Sequence, residues 1–222
     1  MKVRGWLLVF MAGVLAAWLT VSIASESKSD GSATKKASQA QDGSHAKGHD
    51  ASDFVVDKAH TRIGFTVTHL VISKVHGSFG EYDVSLHLHG DKLAKASATV
   101  KVASINTGNK DRDDHLRAPD FFDADKYPKI TFIGKSTKKV GGKDVLVGDL
   151  AIKDKKKGIQ LKYTLRGPIK DPFGGQTKVG LEARGKINRK ELGVEWNKAL
   201  ETGGVVVGEE VELIIDMEAS KK

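Results

Sequence analysis

No cysteine occurs in the 222 residues. That absence excludes a disulfide framework, a thiolate nucleophile, a cysteine-ligated metal and lipid attachment through an N-terminal cysteine. Aromatic residues make up only 6% of the chain. Nowhere do they interleave with a basic stretch in the way a single-stranded nucleic acid requires, so no nucleic-acid partner is expected. No serine sits in a Gly-x-Ser-x-Gly elbow, and no motif places a Ser or Thr beside a His and an acid. Internal repeats are missing too. A domain without disulfides must be held by its own core, and the length suffices for one sizeable domain or two small ones.

What is present begins with a targeting signal. Lys2 and Arg4 precede an uncharged, mostly apolar run, GWLLVFMAGVLAAWLTVSIAS, from Gly5 to Ser25. Ser22 and Ala24 have the spacing of a signal-peptidase site, so residues 1–24 are expected to be a signal peptide, with a retained membrane anchor as the alternative. Either way the body is exported, which points to the periplasm. Residues 25–52 are rich in Ser, Ala, Gly and balanced charge and have almost nothing to bury, so they are expected to form a flexible linker. His45 and His49 fall within it and are read as solvated. Acids and lysines cancel in the linker, so the formal +8 of the chain, less the two n-region cations, leaves roughly +6 on the body. That mild excess suits solubility or contact with an anionic membrane surface.

From Phe54 onward, residues alternate between apolar and polar. Ile63, Phe65, Val67 and His69 form one such row; Tyr82, Val84, Leu86 and Leu88 a second. Further rows are Ile159, Leu161, Tyr163 and Leu165; Val179, Leu181, Ala183 and Ile187; and Val211, Leu213, Ile215 and Met217. Less regular strands fit at about 97–105, 129–137 and 145–153. Turn chemistry lies between them at 89–92, 140–144, 153–158 and 171–176, which implies antiparallel hairpins. About eight such strands must close into a barrel or pack as a sandwich, and periodicity alone leaves both open. Gly64, Gly148, Ala183 and Gly185 hint at inward positions too small to fill a barrel. The longest interruption, DRDDHLRAPDFFDADKYPKITF from Asp111 to Phe132, carries a short helix over 110–116 that Pro119 stops.

That interruption is dense in charge but lacks the order a metal site needs. Asp120, Asp123 and Asp125 lack the central Gly and closing Glu of a calcium loop. His115 has no histidine three or four residues away. His87 and His89 share a strand face that also carries Glu81 and Asp83, as a solvated outer face would. No catalytic residue and no metal ligand is assigned, and no cofactor is expected. Two adjacent phenylalanines, Phe121 and Phe122, cannot both face inward on a strand but can in a bend, so they are expected to anchor the crossover to the core.

Three stretches carry a resemblance: DKAHTRIGFTVTHLVISKVHGSFGEYD, ASINTGNKDRDDHLRAPDFFDADKYPKITF and LGVEWNKALETGGVVVGEEVELIIDMEA. In this order they closely resemble the YceI-like family over about Asp57–Ala219, so that the barrel domain is set at 53–219. The resemblance implies an all-β fold: an extended antiparallel lipocalin-like barrel of about eight strands with a short helix in the long crossover. It further implies a non-enzymatic binder of a long amphiphile, a polyisoprenoid (quinone-like) or a fatty-acid amide, often as a homodimer. It supplies no catalytic residue. Phe65, Val67, Phe79, Phe121, Phe122, Phe132, Leu150, Leu161, Tyr163, Leu165 and Leu181 are the expected lining, with His69 as a head contact and Trp196 across one end. Two rival readings stand beside this one. The first is a metal- or redox-linked accessory enzyme using His60, His69, His76 or His115. The second is a structural, stress-related protein with a filled barrel.

Overall fold

The structure, a computed structural model, describes residues 51–201 and 203–222. The expected signal segment and nearly all of the expected linker lie outside the described residues. Ten strands follow one another: β1 (Ala51–His69), β2 (Ser73–Phe79), β3 (Tyr82–His89), β4 (Lys92–Lys101), β5 (Ile105–Asn106), β6 (Lys129–Val140), β7 (Lys143–Ile152), β8 (Lys155–Lys170), β9 (Thr177–Asn188) and β10 (Val207–Lys221). Among the described residues a single α-helix, α1 (Lys110–Arg117), interrupts them between β5 and β6. All pairings are antiparallel, and the sheet closes where β10 meets β1, with Phe65 opposite Leu213 and Phe54 opposite Lys221. Eight strands complete the ring, so of barrel and sandwich the structure is the barrel. β2 lies beside the second half of β1 and prolongs the path of β3, while β5 pairs with β2 at Phe79 and Ile105.

The alternation seen in the sequence has a direct physical cause. Side chains two residues apart share a face of a strand, so apolar rows turn inward together. On β3, Tyr82, Leu86 and Leu88 are buried while Asp83, Ser85 and His89 are exposed. Tight turns join the strands: Gly90–Asp91, Lys153–Asp154 and Gly141–Gly142. At Gly141 and Gly142 φ is 56° and 76°, a conformation that side chains resist and that matches the twist of a two-residue hairpin.

Three local expectations need correction, and one strand was not anticipated. β1 starts at Ala51, inside the segment assigned to the linker, because main-chain pairing with His89 needs no apolar side chain. The strand expected over 97–105 runs from Lys92 to Lys101 and then breaks into a 3-10 turn at Val102–Ser104. The loop expected over 153–158 is only the Lys153–Asp154 turn; Lys155–Lys157 already belong to β8 and are exposed on both faces, so no alternation marks them. β2 itself carries no alternation to read, since Gly77 takes one of its inward places.

The two ends of the barrel differ. One end holds the Gly90–Asp91 and Gly141–Gly142 turns and is plugged by Phe54, Leu88, Leu93, Val179 and Ala219, none more than 5% exposed. The other end holds the 70–72 turn, the crossover through α1 and the 189–206 connection between β9 and β10. This second end is where the interior is not filled.

Candidate ligand-binding cavity

Toward the crossover end the barrel encloses a cavity of about 200 Å³. Its walls are apolar residues from β1–β4, β6–β10 and the crossover; among the described residues Ser97 and Arg189 are the only polar side chains on them. Expected lining residues Phe65, Val67, Phe79, Phe121, Phe122, Phe132, Leu150, Leu161 and Leu181 all contribute to these walls. Three others do not. Tyr163 and Leu165 continue the inward row of β8 past Leu161, where they pack against the plugged end. His69 keeps the inward parity of Phe65 and Val67, but β1 ends there and the chain turns away at the rim.

The small residues expected to leave room leave less than their size suggests. A Cβ on Gly148 would lie 2.5 Å from the Phe132 ring, and one on Gly185 would lie 2.5 Å from Leu161. Neighbouring side chains therefore occupy the space these glycines vacate. Ala183 does border the cavity. An apolar void of roughly 150 Å³ accepts a benzene-sized guest, so this cavity as it stands takes a short stretch of chain.

A cover closes the cavity, built from the charge-rich crossover. Asn109 caps α1 by accepting from the Arg112 N–H at 3.0 Å. Buried Asp113 accepts from the Thr107 N–H at 2.9 Å and the Thr107 hydroxyl at 2.6 Å. Arg117 donates to the carbonyls of Ala103 and Ile105, each at 2.9 Å, and to Asp114. With these polar groups spent on the backbone, the bend after Ala118 sends both Phe121 and Phe122 to the cavity wall. Phe121 meets Trp196 at 5.1 Å between ring centres and His115 at 4.9 Å, and His115 meets Trp196 at 5.2 Å. The Lys153 ammonium bonds the Phe121 carbonyl at 3.0 Å. Three separate connections are thus joined over one opening.

Arg189 was not anticipated. It is 5% exposed and, among the described residues, is the only charged one on the cavity wall. Its Nε donates to the Gly208 carbonyl at 2.9 Å, Nη1 to Val194 at 2.6 Å and Trp196 at 2.9 Å, and Nη2 to Val207 at 3.2 Å. Burial pushes its pKa down, against the opposing pull of Glu209. Signal for it existed: Arg189 keeps the inward parity of Leu181, Ala183 and Ile187, but its charge argues for a surface position.

A sequence profile of the YceI-like domain matches residues 54–219. The chain belongs to the YceI-like family. A UPF0312 protein of Staphylococcus aureus is 39% identical over 171 residues, which are 76% of this chain and 98% of the relative. The crystal structure of a Campylobacter jejuni YCEI protein is 34% identical, with a TM-score of 0.59 over 75% of this chain and 96% of that one. A polyisoprenoid binding domain from Saccharophagus degradans, implicated in plant cell wall breakdown, shares the fold at 12% identity, with a TM-score of 0.54 over 78% of this chain and 100% of that domain.

The histidines of this YceI-like domain are not gathered. His76 bonds the buried Thr66 hydroxyl at 2.9 Å, His115 bonds Asp120 at 3.0 Å, and His87 bonds Asp53 at 2.7 Å. Among the described residues, the one group of three close metal-type ligands is Asp57, His60 and Glu218, on an irregular stretch of β1 and the facing β10. There the Lys178 ammonium already bonds Glu218 at 2.7 Å and Asp171 at 3.4 Å. The site holds an intrinsic cation, and three of the four histidines named for a metal- or redox-linked enzyme stand apart from it.

Proposed function

We propose that this YceI-like barrel is an exported carrier of a long amphiphile, such as a polyisoprenoid (quinone-like) chain or a fatty-acid amide. The observation that carries the reading is the apolar cavity under a built cover at one end of an otherwise packed barrel. Burying each methylene is worth about 0.8 kcal/mol, so a tail needs no charged contact to be held. A tail longer than the cavity must lift the Phe121–Trp196 cover, which puts its remainder at that end. The polyisoprenoid binding domain of Saccharophagus degradans supports the reading at the level of the fold. Titration with the apolar fluorophore N-phenyl-1-naphthylamine tests it. The native protein should enhance the fluorescence and dodecanol should reverse it. Ala183→Phe, or the smaller Ala98→Leu, should abolish both by filling the cavity. Equal fluorescence from native and filled variants would refute the reading and favour a filled structural barrel.

Contact with a membrane belongs to the same proposal. Leu70, Val71 and Ile72 form an exposed apolar turn beside Val67 and Val207, at the cavity end; Ile72 is 85% exposed. Leu70 and Val71 have φ of 51° and 66°, which costs an L side chain about 1–3 kcal/mol. A strained apolar turn next to exposed Lys74 suits an anionic bilayer surface. Val71→Asn with Ile72→Ser should cut sedimentation with phosphatidylglycerol vesicles by about tenfold. The same change should leave the melting temperature equal or higher, since Asn tolerates this conformation. Undiminished sedimentation would remove the turn from the proposal. The export step predicts a mature chain beginning at Ser25, readable by N-terminal sequencing of protein from its source.

A further inference from the structure

Among the described residues the cavity wall holds one buried cation, Arg189, and no carboxylate forms an ion pair with it; Glu209 acts on it only from a distance. Its guanidinium has five N–H groups. Four find backbone carbonyls, those of Gly208, Val194, Trp196 and Val207. One Nη2 N–H is left over, on a side chain only 5% exposed. No carboxylate lies within ion-pair distance of it among the described residues; Glu209 is exposed and spends its charge on Lys190 at 2.6 Å. The carbonyl dipoles solvate the guanidinium without supplying a counter-charge.

A structural staple alone does not account for this arrangement. The two backbone segments it joins, at 194–196 and 207–208, could be tied by a neutral donor without burying a full charge. Burying a cation unpaired is costly, and an acceptor oxygen arriving with a ligand removes part of that cost. The position matters as much as the charge. Arg189 borders the cavity at the same end as Val194, Val207 and the cover, while the buried residues that plug the other end, Phe54, Leu88, Leu93, Val179 and Ala219, carry no charge. An amphiphile whose tail fits the cavity, entering tail-first, would bring its head to this level.

We propose that Arg189 is the head-group contact of the cavity, selecting amphiphiles whose head ends in an acceptor oxygen, anionic heads above neutral ones and neutral above cationic. The inference rests on the reading of the barrel as an amphiphile carrier and adds the class of head group to it. It also replaces His69, which the cavity does not reach.

Three ligands with one tail separate the two claims: laurate, dodecanol and dodecyltrimethylammonium, each displacing N-phenyl-1-naphthylamine from the unaltered protein. A charge-assisted hydrogen bond predicts that laurate competes about tenfold better than dodecanol, and the quaternary ammonium worst. Arg189→Lys keeps the charge but loses the planar fork, so it should shrink the ratio of laurate to dodecanol competition toward one. Equal competition by all three ligands would overturn the head-group contact and leave the carrier reading intact. Failure of all three to compete would overturn the carrier reading itself, and the head-group contact with it. A laurate preference that Arg189→Lys does not alter would assign the selectivity to another cation and also overturn the inference.

Discussion

Phe121→Ala is expected to lower the stability of the barrel by about 3–5 kcal/mol, read as a shift in the denaturant midpoint. Phe121 is 6% exposed and touches the cavity, Trp196 and His115 at once. Truncating it loses the transfer energy of the ring, and the neighbours cannot collapse into the gap because an open cavity already lies beneath. Its ring contacts add roughly 0.5–1.5 kcal/mol beyond buried area. The kinetic consequence is the more telling one. If the Phe121–Trp196 contact is the cover, release of a bound fluorophore should speed up by more than the loss of equilibrium affinity alone requires. Phe122→Ala, which shares the wall without the Trp196 contact, should change affinity more than the on-rate. Equal release rates for native protein and Phe121→Ala would show that the opening lies elsewhere.

The second large effect is expected at Arg189. Arg189→Met strands the carbonyls of Val194, Trp196 and Gly208, each of which loses its guanidinium donor. The Val207 carbonyl keeps a donor, the Asn197 amide at 2.7 Å. Each unsatisfied buried acceptor costs about 1–3 kcal/mol. Against this, the variant no longer buries an unpaired charge, which recovers a part. The hydrogen-bond loss exceeds the recovery because three acceptors are affected and water reaches this buried site poorly. The net loss should be about 2–4 kcal/mol in chemical denaturation, with the 189–206 connection becoming the first region to exchange its amide hydrogens. A stability unchanged within 0.5 kcal/mol (roughly the scatter for neutral surface changes) would mean that this connection is held by Trp196 and Leu192 packing alone.

Much of this could be read from residues, and the failures share a cause. Inward rows such as Ile159–Leu161 and Val179–Leu181–Ala183 were legible because one face is dry and the other wet. The same logic fails where both faces are wet, as at Lys155–Lys157, or where pairing is purely main-chain, as at Ala51. Parity also says nothing about depth along the barrel. Tyr163 and Leu165 are inward by parity yet sit beyond the cavity, and His69 sits at the rim. The charged crossover is the instructive case. Its charge density lacks the order of a metal site in the sequence, and the hydrogen bonds of Asp113, Arg112 and Arg117 go to Thr107, Ala103 and Ile105. Its functional contribution is the pair of phenylalanines those bonds place. Arg189 was missed because residue type argued for the surface while parity argued for the interior, and only the packing of the 189–206 connection decides between them.

The central claim, that the barrel carries an amphiphile, is tested most directly by native mass spectrometry of protein purified without detergent from its source. The account predicts a bound species of one amphiphile per barrel, lost on organic extraction and absent from Ala183→Phe prepared in the same way. A single mass equal to the polypeptide alone, identical for native protein and Ala183→Phe, would contradict it.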